Sequence, residues 1–401
     1  MKTDLNAGLI RTIVGTGTSG WSGDGAVASA ACLNEPKSVT LDAEGNLFIA
    51  DSENHVVRRI DRKTLCITTV AGKVQALDAG TTSVLPTSTS EEVEEDPLAE
   101  TSKVDVRAVT QQTDLSGTVR YIAIGTMPAT RFSGDGGPAD LALLNFPTAV
   151  VVDGAGHLYI ADTLNHRVRH VDAVTGAITT VVGLGKPRYS GDGGRAVEAG
   201  LNEPAALALS DDGILYIADQ SNNRVRAVDL ATGMIRTVAG TGTAAYNGDG
   251  LTATETDLAG PSGLALAADG TLYIADCFNG RIRAIDPVTG LIRTVVGNGG
   301  EYRYQGLNES PSASVSRPSG ITVDDEGNLY MTDSDNHLVR RWDRLSGRIE
   351  RIAGVGAPDY SGDGGVALQA GLSYPFGIVL DRARHMFVAD TFNHRIREII
   401  L

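Results

Sequence analysis

An aspartate that ends a short apolar run, with asparagine three residues later and then an arginine-rich alternating run, recurs six times. The copies read IADSENHVVRRID (49–61), IADTLNHRVRHVD (160–172), IADQSNNRVRAVD (217–229), IADCFNGRIRAID (274–286), MTDSDNHLVRRWD (331–343) and VADTFNHRIREII (388–400). Asp162, Asp219, Asp276, Asp333 and Asp390 stand 57 residues apart, and Asp51 stands 111 residues before Asp162, close to two periods. A period of this length with four short strands per unit predicts an all-β chain folded as a β-propeller, because a single such unit cannot bury its faces alone.

One unit divides into four strands. Strand a follows a proline, as in Pro204-Ala-Ala-Leu-Ala-Leu; strand b is Leu215-Tyr-Ile-Ala-Asp; strand c is Arg224-Val-Arg-Ala-Val-Asp; strand d is Met234-Ile-Arg-Thr-Val-Ala-Gly. Turn residues such as Asp212-Gly213 separate them. Strands c and d alternate polar and apolar residues, as half-exposed outer strands do. The last repeat stops at strand c. Its missing strand d stands at the N-terminus, where Gly8-Leu-Ile-Arg-Thr-Ile-Val-Gly15 matches Gly233-Met-Ile-Arg-Thr-Val-Ala-Gly240. The N-terminal strand is therefore expected to complete the last blade and close the ring, leaving no open edge.

Residues 1–401 read as a single propeller domain with a degenerate, acidic insertion at 73–105. Val106–Val109 resembles strand c and Val119–Gly125 resembles strand d, with Val74–Ala79 and Ser83–Thr87 as weak strands a and b. The spacing favours seven blades, one degenerate; six blades with an inserted hairpin is the alternative. The insertion leaves strand d of blade 1 at the face argued below to carry function, where a long loop serves as a lid.

The formal net charge of -15 disfavours nucleic-acid backbones. No apolar run is long enough to span a bilayer. The start, MKTDLNAGLIRTIV, lacks the apolar core of a signal peptide, which points to a cytoplasmic protein. The three cysteines, Cys32, Cys66 and Cys277, form neither a CxxC pair nor a disulfide framework.

The Asn-His-x-x-Arg strand, the preceding (Tyr/Phe)-(Ile/Val)-Ala-Asp and a Gly-Asp-Gly-Gly connector resemble the NHL repeat, over nearly the whole chain outside 73–105. The resemblance implies a propeller fold. It implies no single function, because NHL propellers include interaction and RNA-binding domains, adhesion modules, sensors and an amidating lyase with a metal in its channel. That lyase's metal histidines have no match here: the off-motif histidines His157, His170 and His385 fall in turns or an outer strand. No HExxH pair occurs. No cofactor is expected, although a channel metal ion is compatible with a ring of this kind.

The repeated motifs read as structure. The marker Asp accepts backbone N–H groups beside a turn, and the Asn three residues on tolerates the left-handed conformation. His55, His166, His337 and His394 pack blade to blade, with Asn223 and Gly280 in their place in two copies. The loops WSGDG (21–25), FSGDGG (132–137), YSGDGG (189–194 and 360–365) and YNGDG (246–250) join strand d to the next strand a. Their glycines permit positive φ, their Asp closes the turn on backbone N–H groups, and their aromatic wedges between blades.

Function is then sought where copies differ. The d–a and b–c loops share one face, the top. The residue before the strand-a proline is Glu35, Phe146, Glu203, Gly260, Arg317 or Tyr374, and the residue after it is Lys37, Thr148, Ala205, Ser262, Ser319 or Phe376. These stand at the mouth of the channel. The b–c loop Asp276-Cys-Phe-Asn-Gly280 and the segment Glu301–Gln305, which replaces the blade 5 connector, also depart from their siblings. Two readings follow. The favoured one is a propeller that binds a small molecule, peptide or protein on its top face through Lys37, Phe146, Arg317, Phe376 and Phe278. The other is a lyase, hydrolase or cyclase. Glu35 and Glu203 would then serve as acid and base, Lys37 and Arg317 as anion stabilisers, Tyr374 as proton donor and Cys277 as a weaker candidate nucleophile. The paired arginines of strand c, such as Arg224 and Arg226, are expected to meet acids rather than RNA.

Overall fold

A computed structural model describes residues 8–74, 109–113, 119–123, 131–300 and 313–401. Two units separate, residues 1–74 with 132–401, and residues 75–131. The described part of the larger unit holds six antiparallel blades with four strands in the order a-b-c-d, the sixth carrying a two-residue fifth strand, Gly365–Val366, on its outer edge. Blade 3 is typical, with Pro204–Leu209, Ile214–Asp219, Arg224–Asp229 and Met234–Ala239. The inner strands a begin at Pro36, Pro147, Pro204, Pro261, Pro318 and Pro375, and each neighbours the next around a closed ring.

The blade count corrects the seven-blade expectation in favour of the alternative. In the long gap, Val119–Ala123, within the expected strand d, pairs with Val109–Thr113, which starts at the last residue of the expected strand c, in a two-stranded hairpin. The weak strand candidates and the acidic run at 75–105 lie outside the described residues. Each of the six apolar clusters is built from two adjacent blades, and one joins blade 1 (Phe48, Val57, Ala71) directly to blade 2 (Val150, Ile160, Ile178). Blades 1 and 2 share this core with no blade between them.

Closure by the N-terminal strand is as predicted. Leu9–Val14 pairs antiparallel with Arg395–Ile400, placing Leu9 opposite Ile400 and Arg11 opposite Glu398. Ile10 and Val14 are fully buried. Arg11 meets Glu398, which also holds His385 Nδ1 at 2.8 Å.

The motifs do build, although not always as the sequence suggests. The marker Asp accepts the N–H two residues before the strand-a proline, as in Asn34 N–H to Asp51 Oδ1 at 2.7 Å and Asn202 N–H to Asp219 Oδ1 at 2.7 Å. The Asn three residues on is not the left-handed residue; it donates its amide to the same Asp, at 2.8 Å for Asn222 and Asp219. The residue after it is left-handed, with φ 52–58° at His55, His166, Asn223, His337 and His394.

The middle arginine of strand c is not half-exposed. Arg58, Arg169, Arg226, Arg283 and Arg397 are fully buried and Arg340 nearly so. Each reaches the marker Asp of its blade, and five also reach the Asp of the Gly-Asp-Gly connector; Arg226 lies 3.4 Å from Asp219 and 2.5 Å from Asp192. The connector Asp therefore does not close its own turn. It bridges strands c and d, taking Arg226 on Oδ1 and the Thr237 N–H on Oδ2 at 3.1 Å. The connector aromatic does not wedge between blades either. Trp21, Tyr189, Tyr246 and Tyr360 are 39–42% exposed. Tyr189 lies 3.7 Å from the Arg224 guanidinium and 4.9 Å from that of Arg226, so it caps the ion pair.

Candidate functional site at the channel mouth

Each strand a begins opposite the end of strand b, Pro36 against Asp51 and Pro204 against Asp219, so the loops entering a and leaving b do share the top face. The residue before the proline is left-handed in every blade: Glu35, Phe146, Glu203, Arg317 and Tyr374 have φ of 47–54°. Most of these residues are clamped from the preceding blade. His Nδ1 accepts the N–H of Glu35 from His394 at 3.1 Å, of Phe146 from His55 at 2.9 Å, of Glu203 from His166 at 3.2 Å and of Tyr374 from His337 at 3.1 Å. Asn223 Oδ1 does the same for Gly260 at 3.0 Å. The histidines are thus interblade acceptors, which sharpens the packing role expected of them.

An accepting Nδ1 requires a neutral ring. Burial pushes His337 down to about 4 and also lowers His394. In the unfolded chain a histidine titrates near 6.5. As pH falls from about 6.5 towards 4, the unfolded chain takes up a proton that folded His337 refuses, so stability is lost across that window. Urea unfolding should show this loss, on the order of 1 kcal/mol for His337 after solvent screening. His337→Asn, which keeps an acceptor as Asn223 does, should flatten that part of the profile. An unchanged slope would remove the histidine from the clamp.

A second ring, of which the sequence singled out only Phe278, lies against the first. The second residue after the marker Asp is Glu53, Leu164, Ser221, Phe278, Asp335 or Phe392. Its N–H binds the carbonyl two residues before the proline, as in Glu53 to Asn34 at 3.2 Å and Phe392 to Ser373 at 3.1 Å. Each blade therefore presents a matched pair. Glu203 accepts the Ser221 hydroxyl at 2.6 Å. Arg317 lies 3.8 Å from Asp335 and over the Phe278 ring at 5.7 Å. Tyr374 packs edge-on to Phe392 at 5.0 Å and to His337 at 4.5 Å. In blade 4, Phe278 fills the place of the missing partner: a Cβ on Gly260 would come within 2.4 Å of its ring. The position varies from copy to copy, and that variation was the available signal.

The sequence candidates do not all gather. Lys37 Nζ lies 3.4 Å from Glu35 Oε2, 4.2 Å above the Phe376 ring and 5.1 Å from that of Phe392. Burial lowers its pKa, against the pull of Glu35, with Glu53 and Arg317 close enough to act on it. Blades 5, 6 and 1 thereby join Arg317, Asp335, Tyr374, Phe392, Phe376, Lys37 and Glu35 into one arc. Their seams are tight: a Cβ on Gly320 would lie 2.1 Å from the Phe376 carbonyl oxygen, and one on Gly377 2.6 Å from the Ser38 Cα. Phe146 and Glu203 belong to blades 2 and 3, outside that arc.

Cys277 is enclosed beside Ser262 and the mouth residue Arg317. It is 3% exposed, and burial pushes its thiol pKa up. Its siblings Ser52, Thr163, Ser334 and Thr391 donate a hydroxyl to the next blade's proline carbonyl, Ser52 to Pro147 O at 2.6 Å. In blade 4, Ser262 makes that bond instead, to Pro318 O at 3.0 Å. Burial, and then Glu35, push Glu53 up; burial pushes Asp335 up against Arg317. Among the described residues no three His, Cys, Asp or Glu side chains come together to hold a metal. The segment Glu301–Gln305 lies outside the described residues. No described helix is long and apolar enough to cross a membrane.

Comparison with known proteins agrees with this architecture. The Teneurin NHL domain family matches residues 186–229 and 235–310, and the NHL repeat family matches 144–171 and 316–342. The Arabidopsis thaliana protein Suppressor of quenching 1, chloroplastic, is 34% identical over 61% of this chain and 24% of its own length. NHL repeat-containing protein 2 of Gallus gallus is 29% identical over 64% of this chain and 38% of its own. The chain thus spans well under half the length of these relatives. Among solved structures, a structural genomics protein from Bacteroides thetaiotaomicron superposes with a TM-score of 0.62 at 19% identity, over 98% of this chain and 76% of its own. A gluconolactonase from Xanthomonas campestris superposes at 0.52 and 14%, over 92% and 88%. At these identities both show the fold alone. The NHL matches, set on a six-bladed ring, support an NHL-repeat β-propeller family for this chain.

Proposed function

We propose that this propeller binds a ligand, a small molecule or a segment of peptide or protein, at the two-ring mouth of its channel. One observation carries the reading. Five of six blades place a side chain at a left-handed position where glycine is unstrained, although Gly260 shows that glycine serves there. A non-glycine residue in that conformation costs on the order of 1 kcal/mol or more, and such strain collects at functional sites. The five side chains differ in charge and shape, which suits recognition and not scaffolding.

The test replaces strain with glycine. Glu203→Gly and Arg317→Gly should keep stability within about 1 kcal/mol, since relieved strain offsets the lost contacts. Arg317→Gly should abolish the rise in Tm that mouth-binding fragments from a panel of small carboxylates, amines and aldehydes give the unaltered protein, whereas Glu203→Gly, outside the arc, should keep it. A loss of more than about 2 kcal/mol would make these residues structural. A reaction at the same mouth is the second reading. It is favoured by Glu53 and Asp335, whose carboxyls burial raises, standing beside Lys37 and Arg317.

A further inference from the structure

We propose that Lys37 is a carbonyl-capturing amine, forming an imine with a small aldehyde or unhindered ketone that enters the mouth. The proposal deepens the reading of the mouth as a binding site and rests on it.

The arrangement around Nζ has the parts such a step needs. Every cation that builds a blade is arginine: Arg58, Arg169, Arg226, Arg283, Arg340 and Arg397 hold the buried ion pairs. Arginine stays charged and cannot act as a nucleophile, whereas lysine deprotonates readily when desolvated. The chain has only six lysines, Lys2, Lys37, Lys63, Lys73, Lys103 and Lys186. Lys63, Lys73 and Lys186 are exposed, and Lys2 and Lys103 lie outside the described residues. Lys37 alone of the described lysines is enclosed, with 12% of its side chain exposed, at the start of an inner strand. Its amine has a proton acceptor, Glu35 Oε2 at 3.4 Å, and aromatic walls in Phe376 and Phe392. Burial lowers its pKa in spite of that carboxylate, which makes the ammonium easier to deprotonate than that of an exposed lysine.

The step balances without an oxidant or reductant. Glu35 takes a proton from the ammonium, and the freed lone pair of Nζ attacks the carbonyl carbon. The proton that the attacking nitrogen must shed passes to the carbonyl oxygen, giving a neutral carbinolamine. Glu35 returns a proton to the hydroxyl, the C–O bond breaks with loss of water, and C=N forms. The flat aromatic walls select carbonyl compounds with an apolar or aromatic substituent.

Benzaldehyde with cyanoborohydride, incubated with the full chain at pH 7, reads this directly by peptide mapping. The expected result is one benzylated side chain, Lys37, ahead of the exposed lysines. Lys37→Arg should remove that adduct while the Tm is kept. Glu35→Gln should slow trapping at least about tenfold at pH 7 and less at pH 9, where the amine needs no base. Label spread over the exposed lysines with Lys37 unmodified would overturn the proposal, as would equal trapping in Glu35→Gln at both pH values. Reversible benzaldehyde binding at the mouth without trapping would also sink the imine, yet leave the mouth as a binding site.

Discussion

A chain beginning at Thr16 should lose at least about 5 kcal/mol of stability and aggregate on warming. The missing strand takes with it Ile10 and Val14, both fully buried. Each contributes roughly 1.5–3 kcal/mol through burial alone. It also takes the ladder to Arg395–Ile400 and the Arg11 partner of Glu398. Glu398 would then be left with His385 alone, and strand c of blade 6 would present an unpaired edge of the kind that recruits other chains. The N-terminal strand carries the chain from blade 6 into blade 1, so its loss leaves these two blades joined by noncovalent contacts alone, such as the packing of Val39 and Ile49 with Phe387. Guanidinium unfolding of the two chains, with light scattering for association, checks this; unchanged midpoints would refute closure by this strand.

Arg226→Met should be the costliest single substitution in a blade, at about 3–5 kcal/mol near pH 8. It leaves Asp219 buried without its cation and Asp192 without its bridge to strand c. The cost should shrink towards pH 5. Burial already raises Asp219 to about 6, and loss of the guanidinium raises it further. Above about 6 and up to that further raised value, the folded variant binds a proton that neither the folded parent nor the unfolded chain binds, so its stability relative to the parent falls as pH rises. Arg224→Met, two residues away, should cost about 1 kcal/mol or less. Arg224 stacks on half-exposed Tyr189 and binds carbonyl oxygens, without a buried carboxylate. Equal costs for the two would mean that the buried pair is not what holds strands b, c and d together.

The strands of each blade and the ring closure were legible because they rest on local pattern. The match of Gly8–Gly15 to Gly233–Gly240 carries its own pairing rule. The blade count was not legible, because it depends on which faces meet: only the packing of Phe48 and Val57 against Val150 and Ile160 shows that blade 2 follows blade 1 directly. Partner choice in the motifs was hidden for the same reason. Asp192 and Arg226 are 34 residues apart in sequence, and nothing local joins them. At the mouth, the residue before each proline was singled out because proline marks where the inner strand begins, and the left-handed backbone there sets all six copies apart. The b–c loop was read as a unit. In a single turn, neighbouring side chains differ in exposure, so Cys277 is buried beside Arg317 while Phe278 is exposed with Arg317 over its ring. Glu53, Asp335 and Phe392 were missed on this account.

The most direct test of the mouth as the functional site is a crystallographic fragment screen on the full chain. Bound fragments should concentrate on the arc formed by Glu35, Lys37, Arg317, Tyr374 and Phe392, inside a ring of six blades. Fragments scattered over the outer strands and bottom loops, with none on that arc, would contradict it.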